Sequence, residues 1–198
     1  MSNRLLLDLL RNEEICVKNG DIFHHGSVIS KNVDFDRIEG MILGLCIGDS
    51  LGNSSESLQP GRRKKIFGEI DNYLQNDYTG DYRGYPSDDT QLAMWTLEQI
   101  NVDRGINPEN LAHKFCNSGR IFGMGSTVRE FIRNFKDNKV PWIKAGPKSA
   151  GNGALMRISP VIIPHIGGSS DALYADGAIA GMLTHNDSAS ISSCVLQL

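Results

Sequence analysis

Pro86 followed by Ser87-Asp88-Asp89-Thr90-Gln91, and then by apolar Leu92, Met94, Trp95, Leu97 and Ile100, commits the middle of the chain to a helix entered from an extended segment. Proline disfavours helical backbone in the residue before it, Ser87 or Asp88 supplies a capping oxygen, and the apolar run provides a face to bury. Two neighbouring carboxylates and a hydroxyl therefore stand at one helix N-terminus. Two readings of that grouping are open. Acids there favour the macrodipole, and a Ser or Asp oxygen satisfies orphan N–H groups. Alternatively, converging oxygens on one turn suit a hard cation such as Mg²⁺ or Mn²⁺.

A chain of 198 residues, 40% hydrophobic and 22% charged, is long enough for one domain with a sizeable core. A formal charge of −3 argues against a nucleic-acid-binding surface over the whole protein. The cysteines at 16, 46, 116 and 194 show neither a CxxC pair nor metal-finger spacing, which suits a reducing compartment. Leucines at 5, 6, 7, 9 and 10 are interrupted by Asp8 and followed by Glu13-Glu14, a run too short and too charged for a membrane span or a secretory segment. The expectation is a cytoplasmic, soluble protein with no membrane partner.

Residues 2–12 read as a short amphipathic helix, and Asn19-Gly20 between Ile15-Cys16-Val17 and Ile22-Phe23 gives the signal of a tight hairpin. Residues 1–33 are thus expected to be an N-terminal appendage of helix and hairpin, and 34–198 the main domain. A strong helix opens at Asp34 or Asp36, with Gly40, Gly44, Gly48 and Gly52 recurring every fourth residue. Each glycine costs a helix interior roughly 1 kcal/mol against alanine, so the spacing predicts close helix packing or a site. Asp49 within that apolar segment is either a hydrogen-bonded structural group or part of a site. Residues 60–86 read as a long irregular loop with one short helix, tyrosines at 73, 78, 82 and 85, and a basic run Arg62-Arg63-Lys64-Lys65 that reads first as a solvated face and second as a contact for a protein or phosphate partner.

Helix signals dominate thereafter. Asn107 caps and Pro108 begins a helix to about Asn117, while Thr127 and Glu130 have capping-box spacing ahead of Phe131, Ile132 and Phe135. Residues 170–183 and 188–198 supply two more helices, the first rich in alanine and glycine. Gly151-Asn152-Gly153 is a turn whose N–H groups form an anion-binding concavity if a helix begins at Gly153. His185 sits near a helix C-terminus, where the dipole favours it as a cap.

Taken in order, Gly48-Asp49-Ser50-Leu51-Gly52 with Glu56, Ser87-Asp88-Asp89-Thr90, residues 149–157 and Thr184-His185 resemble the ADP-ribosylglycohydrolase family, which includes the dinitrogenase reductase-activating glycohydrolase. The resemblance implies an all-α orthogonal helical bundle with two divalent ions, Mg²⁺ or Mn²⁺, and hydrolysis of ADP-ribose from a modified protein side chain or small acceptor. By the same resemblance Ser87, Asp88 and Asp89 match metal ligands and Glu56 the carboxylate that engages the water or scissile ribose. Ser149, Gly151, Asn152 and Gly153 match the loop around diphosphate and ribose, and His185 a substrate-contacting histidine. Its partner would be an ADP-ribosylated protein or an ADP-ribose-containing small molecule.

The family's second acidic cluster, of the type Asp-x-Asp-Thr, has no counterpart after Asp187. The chain is therefore expected to be a C-terminally incomplete member with weak or absent hydrolysis of its own, and with apolar surface exposed on the first long helix and on residues 188–198. The alternative is a non-catalytic ADP-ribose-binding or assembly module.

Overall fold

The computed structural model describes residues 2–76 and 79–198. Its helices are α1 (Ser2–Arg11), α2 (Phe35–Gly52), α3 (Pro60–Phe67), α4 (Asp88–Asp103), α5 (Pro108–Asn117), α6 (Ser126–Ile132), α7 (Trp142–Ala145), α8 (Ser170–Met182) and α9 (Ser188–Gln197). Short 3₁₀ turns cover Asp21–Phe23, Asn53–Ser55, Leu155–Arg157 and Ser159–His165, and a π turn, Arg133–Asp137, extends α6. Among the described residues there is no strand beyond a single antiparallel bridge between Val28 and Ser169, so the protein is all-α.

Local side-chain caps set three of the helix starts. Asp34 accepts the N–H of Asp36 at 3.2 Å to open α2, Asn107 accepts that of Asn110 at 3.1 Å ahead of Pro108, and Asp187 accepts that of Ala189 at 2.9 Å. These are orphan donors satisfied as N-caps satisfy them. α4 stops at Arg104, which turns left-handed at φ 56°. α6 departs from expectation: its cap position is Gly125 and no side chain caps it, because the Thr127 hydroxyl lies 3.1 Å from Ser149 Oγ instead.

α8 is the element around which the others pack. Its run of alanines and glycines leaves little side chain in the way, so neighbours approach on several sides. α1 contributes Leu6 and Leu9, both about fully buried, to a cluster with Ala175, Ala178, Ile179 and Met182 of α8 and with Ile191 and Val195 of α9. A methyl group at Gly181 would stand 3.2 Å from Cys194 Sγ, so glycine permits the close approach of α8 to α9. Two further clusters join α8 to the middle of the chain: Leu92, Leu111, Phe115, Val128 and Phe131 meet Leu183, and Ile100, Ile158 and Val161 meet Leu173 and Ala180. Burying each such side chain contributes about 1.5–3 kcal/mol.

Three expectations are corrected. The Asn19-Gly20 hairpin is absent: the chain makes a 3₁₀ turn at Asp21–Phe23, and Ile15 and Phe23 both turn into the α1/α8 cluster. Tertiary burial of the two apolar ends outweighs the local turn preference. The glycines of α2 meet no helix, since a methyl group added at 40, 44, 48 or 52 would touch nothing within 4 Å, but Gly48 and Gly52 line the cavity described below, as the alternative of a site has it. The residues 188–198 do not form an exposed apolar face either, since Ile191, Cys194 and Val195 are buried against α8, although Leu196 is exposed. The expected exposure of α2 is what the structure shows, with Phe35, Leu43 and Ile47 all open to solvent. Asp77 and Tyr78 of the tyrosine-rich loop lie outside the described residues.

Candidate functional site

The start of α4 is built from another helix. Ser87 occupies the cap position yet its side chain caps nothing within α4. Asp49, in the last turn of α2, does the capping across the gap: its Oδ2 accepts the N–H groups of Ser87 at 2.7 Å and Thr90 at 3.2 Å and the Thr90 hydroxyl at 2.7 Å. Its Oδ1 accepts the Ser87 hydroxyl at 2.6 Å and Asn53 Nδ2 at 3.3 Å. The same Asn53 nitrogen donates to the carbonyl of Tyr85 at 2.6 Å, holding the extended segment before Pro86 against α2. This decides the reading left open for Asp49 in favour of a hydrogen-bonded group that also lines the cavity described below. Asp49 thus takes the Ser87 and Thr90 N–H groups, while Asp88 and Asp89 each keep a hydrogen bond to their own backbone N–H.

Those two carboxylates and Glu56 crowd one another. Burial raises the Asp88 pKa, and the charge of Asp49 adds to it; Gly125 N–H donates to Asp88 Oδ2 at 3.3 Å and works in the opposite direction. Asp89 is pushed up to about 6 by burial first and then by Asp49, Asp88 and Glu56. Glu56, which follows the 3₁₀ turn after α2, is exposed, and its pKa is raised by partial burial and then by Asp88 and Asp49. Desolvation is the larger cause in each case and like charge the lesser, and both disfavour ionisation. Gly123, at φ 72°, lets the chain pass over this cluster, since a methyl group there would lie 3.1 Å from Asp88 Oδ1 and from Ser87 Cβ.

The opposite wall is the glycine loop. Ser149 Oγ accepts the Gly151 N–H at 3.3 Å, Ser190 Oγ donates to the Gly151 carbonyl at 3.1 Å, and Asn152 is exposed at the tip. After it comes only a 3₁₀ turn, Leu155–Arg157, so the helix imagined at Gly153 is not there and no α-helical dipole adds to the loop N–H groups. Behind the loop lies His185, 2% exposed and with its Nδ1 2.9 Å from Thr184 Oγ1. A methyl group at Gly153 would stand 2.7 Å from His185 Cε1, so the loop can rest on the ring only as glycine. Burial, followed by the charge of Arg157, lowers the His185 pKa to about 4.

Glu56, Ser87, Asp88, Asp89, Gly151, Asn152, Gly153 and His185 line one cavity of about 530 Å³, together with Asp49 and Asn53. Ser149 is absent from that lining and supports the loop from behind. Other lining residues lie outside the sequence-based site, among them Asn53, Arg63 and Thr127. Arg63 comes from the basic run read as a solvated face, and Thr127 from what read as a capping box. The basic run was the available signal for Arg63, but sequence does not say which side of α3 faces the cavity.

The donors present suit a hard divalent cation in kind: carboxylate oxygens under mutual repulsion, and a Ser87 hydroxyl whose proton is committed to Asp49, leaving its lone pairs free for a metal. They do not suit it in number. Among the described residues no three His, Cys, Asp or Glu side chains stand together closely enough to hold an ion by themselves.

Fold and cavity define a class: an all-α protein with an acidic, oxygen-lined pocket facing a glycine-rich loop. The chain belongs to the ADP-ribosylglycohydrolase family, whose model matches residues 30–198. It is 30% identical over 167 residues to an uncharacterised protein of Archaeoglobus fulgidus, covering 81% of this chain and 53% of that one. It is 28% identical to the ADP-ribosylarginine hydrolase Tri1 of Serratia proteamaculans (84% of this chain, 47% of the relative). It is 25% identical to the ADP-ribosyl-[dinitrogen reductase] glycohydrolase of Rhodospirillum rubrum (81% and 55%). The chain thus spans about half the length of the curated relatives it matches. No helix among the described residues is long and apolar enough to cross a membrane.

Proposed function

We propose that this chain carries the ADP-ribose pocket of a glycohydrolase that removes ADP-ribose from a modified protein side chain, with arginine the acceptor named for the Serratia relative. The observation that supports this reading is the convergence of Glu56, the Asp88/Asp89 pair, Asn152 and His185 on one cavity, from segments far apart in sequence. In hydrolysis a water oxygen bonds to the anomeric carbon of the ribose, the bond to the acceptor breaks with its electron pair, and a proton leaves the water. Glu56 takes that proton: its raised pKa brings it nearer neutrality, where a general base works best. The loop N–H groups and Arg63 meet the negative charge of the diphosphate.

Ser87, Asp88 and Asp89 would hold Mg²⁺ or Mn²⁺. When bound, such an ion supplies positive charge that fixes oxygens of the ribose or the attacking water. With so few side chains such an ion would keep most of its water and be held weakly.

The shortage of acidic ligands favours a second reading, a module that binds ADP-ribose without turning it over. Substituting Glu56→Gln separates the two. Under the first reading turnover drops while ADP-ribose affinity is kept; under the second the wild-type chain releases no ADP-ribose to begin with.

A further inference from the structure

Arg157 is fully buried, and among the described residues no carboxylate pairs with it. One nitrogen, Nη2, donates to the carbonyl of Ala180 at 2.9 Å and to Thr184 Oγ1 at 2.8 Å, while the guanidinium lies 4.8 Å from the centre of the Phe115 ring. A guanidinium has donors only, so Thr184 Oγ1 receives a hydrogen bond there. The threonine hydroxyl has one proton of its own to place. Thr184 is 0% exposed, and the acceptor in reach is His185 Nδ1 at 2.9 Å. A buried hydroxyl proton without an acceptor is costly, so Nδ1 accepts it. A neutral imidazole carries a single N–H, and with Nδ1 accepting, that N–H is at Nε2. Nε2 is the nitrogen that faces the glycine loop of the cavity wall, since methyl groups added at Gly153 and Gly151 would stand 3.0 and 3.5 Å from it, and His185 itself lines the cavity.

We propose that Arg157 and Thr184 are positioning residues that lock His185 as a neutral imidazole presenting its Nε2–H to an acceptor oxygen of the bound ligand. In this role His185 is a hydrogen-bond donor and takes no proton from water, which leaves that task to Glu56. The identity of the ligand rests on the ADP-ribose reading above; the tautomer does not.

The test is long-range ¹⁵N–¹H NMR on histidine-labelled protein, with the His185 signals assigned from their loss in His185→Gln. Wild type and Thr184→Ser are expected to show a bare Nδ1 and a protonated Nε2. Folded Thr184→Val is expected to show both tautomers and about tenfold weaker binding of ADP-ribose. A protonated Nδ1 in the wild type overturns the proposal, and that spectrum decides even if the valine variant does not fold. An unchanged tautomer in folded Thr184→Val also overturns it. The Nε2–H tautomer in a wild-type chain that binds no ADP-ribose supports the lock and overturns the proposed function.

Discussion

Asp49 does more for the cavity than any other single side chain, because it accepts five hydrogen-bond donors from Ser87, Thr90 and Asn53 and so joins α2 to the start of α4. Asp49→Asn replaces one accepting oxygen with an N–H₂ group that faces donors. The expected cost is about 2 kcal/mol of unfolding free energy, measured by urea denaturation, with loss of Mg²⁺ binding as Ser87 loses its orientation. For Glu56→Gln the expectation is a fall in turnover of 10²-fold or about that, with ADP-ribose affinity within about twofold of wild type by calorimetry. Asp89 gives a pH signature. Its pKa rises from an ordinary 3.8 to about 6 on folding, so the folded chain holds a proton that the unfolded chain has already released. The contribution to stability is fully present below about pH 4 and is lost as pH rises through about 6. A divalent cation neutralises the same charges, so Mg²⁺ should raise the melting temperature at about pH 7.5 and have no effect at about pH 4.5. Equal shifts at both values would show that the ion binds elsewhere.

At the scale of elements, what sequence disclosed and what it withheld divide along a physical line. Caps that work within a few residues, such as Asp34 and Asn107, were legible because donor and acceptor are neighbours in the chain. The capping of α4 was not, since the accepting carboxylate lies 38 residues away from Ser87. Likewise Asn19-Gly20 carries a real turn preference, but the fate of Ile15 and Phe23 depends on α8, more than a hundred residues on. The glycine loop was legible as a turn, whereas the ring of His185 beneath it was visible only through the family resemblance. Two expectations test these placements. Leu6→Ala should cost about 2–5 kcal/mol, because α1 is part of the α8 cluster; a cost within about 0.5 kcal/mol would show that α1 is dispensable. Ile47→Gln, on the open face of α2, should change stability by no more than about 0.5 kcal/mol.

At the scale of the molecule, helices gathered around α8 hold two walls in place, an acidic one carried by α2 and α4 and a glycine-loop wall resting on His185. ADP-ribose is proposed to bind between them. The direct measurement is a ¹H–¹⁵N chemical-shift titration of the 198-residue chain with ADP-ribose in the presence of Mg²⁺. The account predicts saturable shifts concentrated at Glu56, residues 88–90, Gly151, Asn152, Gly153 and His185, and their loss in Gly153→Ala, whose methyl group would press on the His185 ring. No saturable shifts, or shifts centred away from these residues, would contradict it.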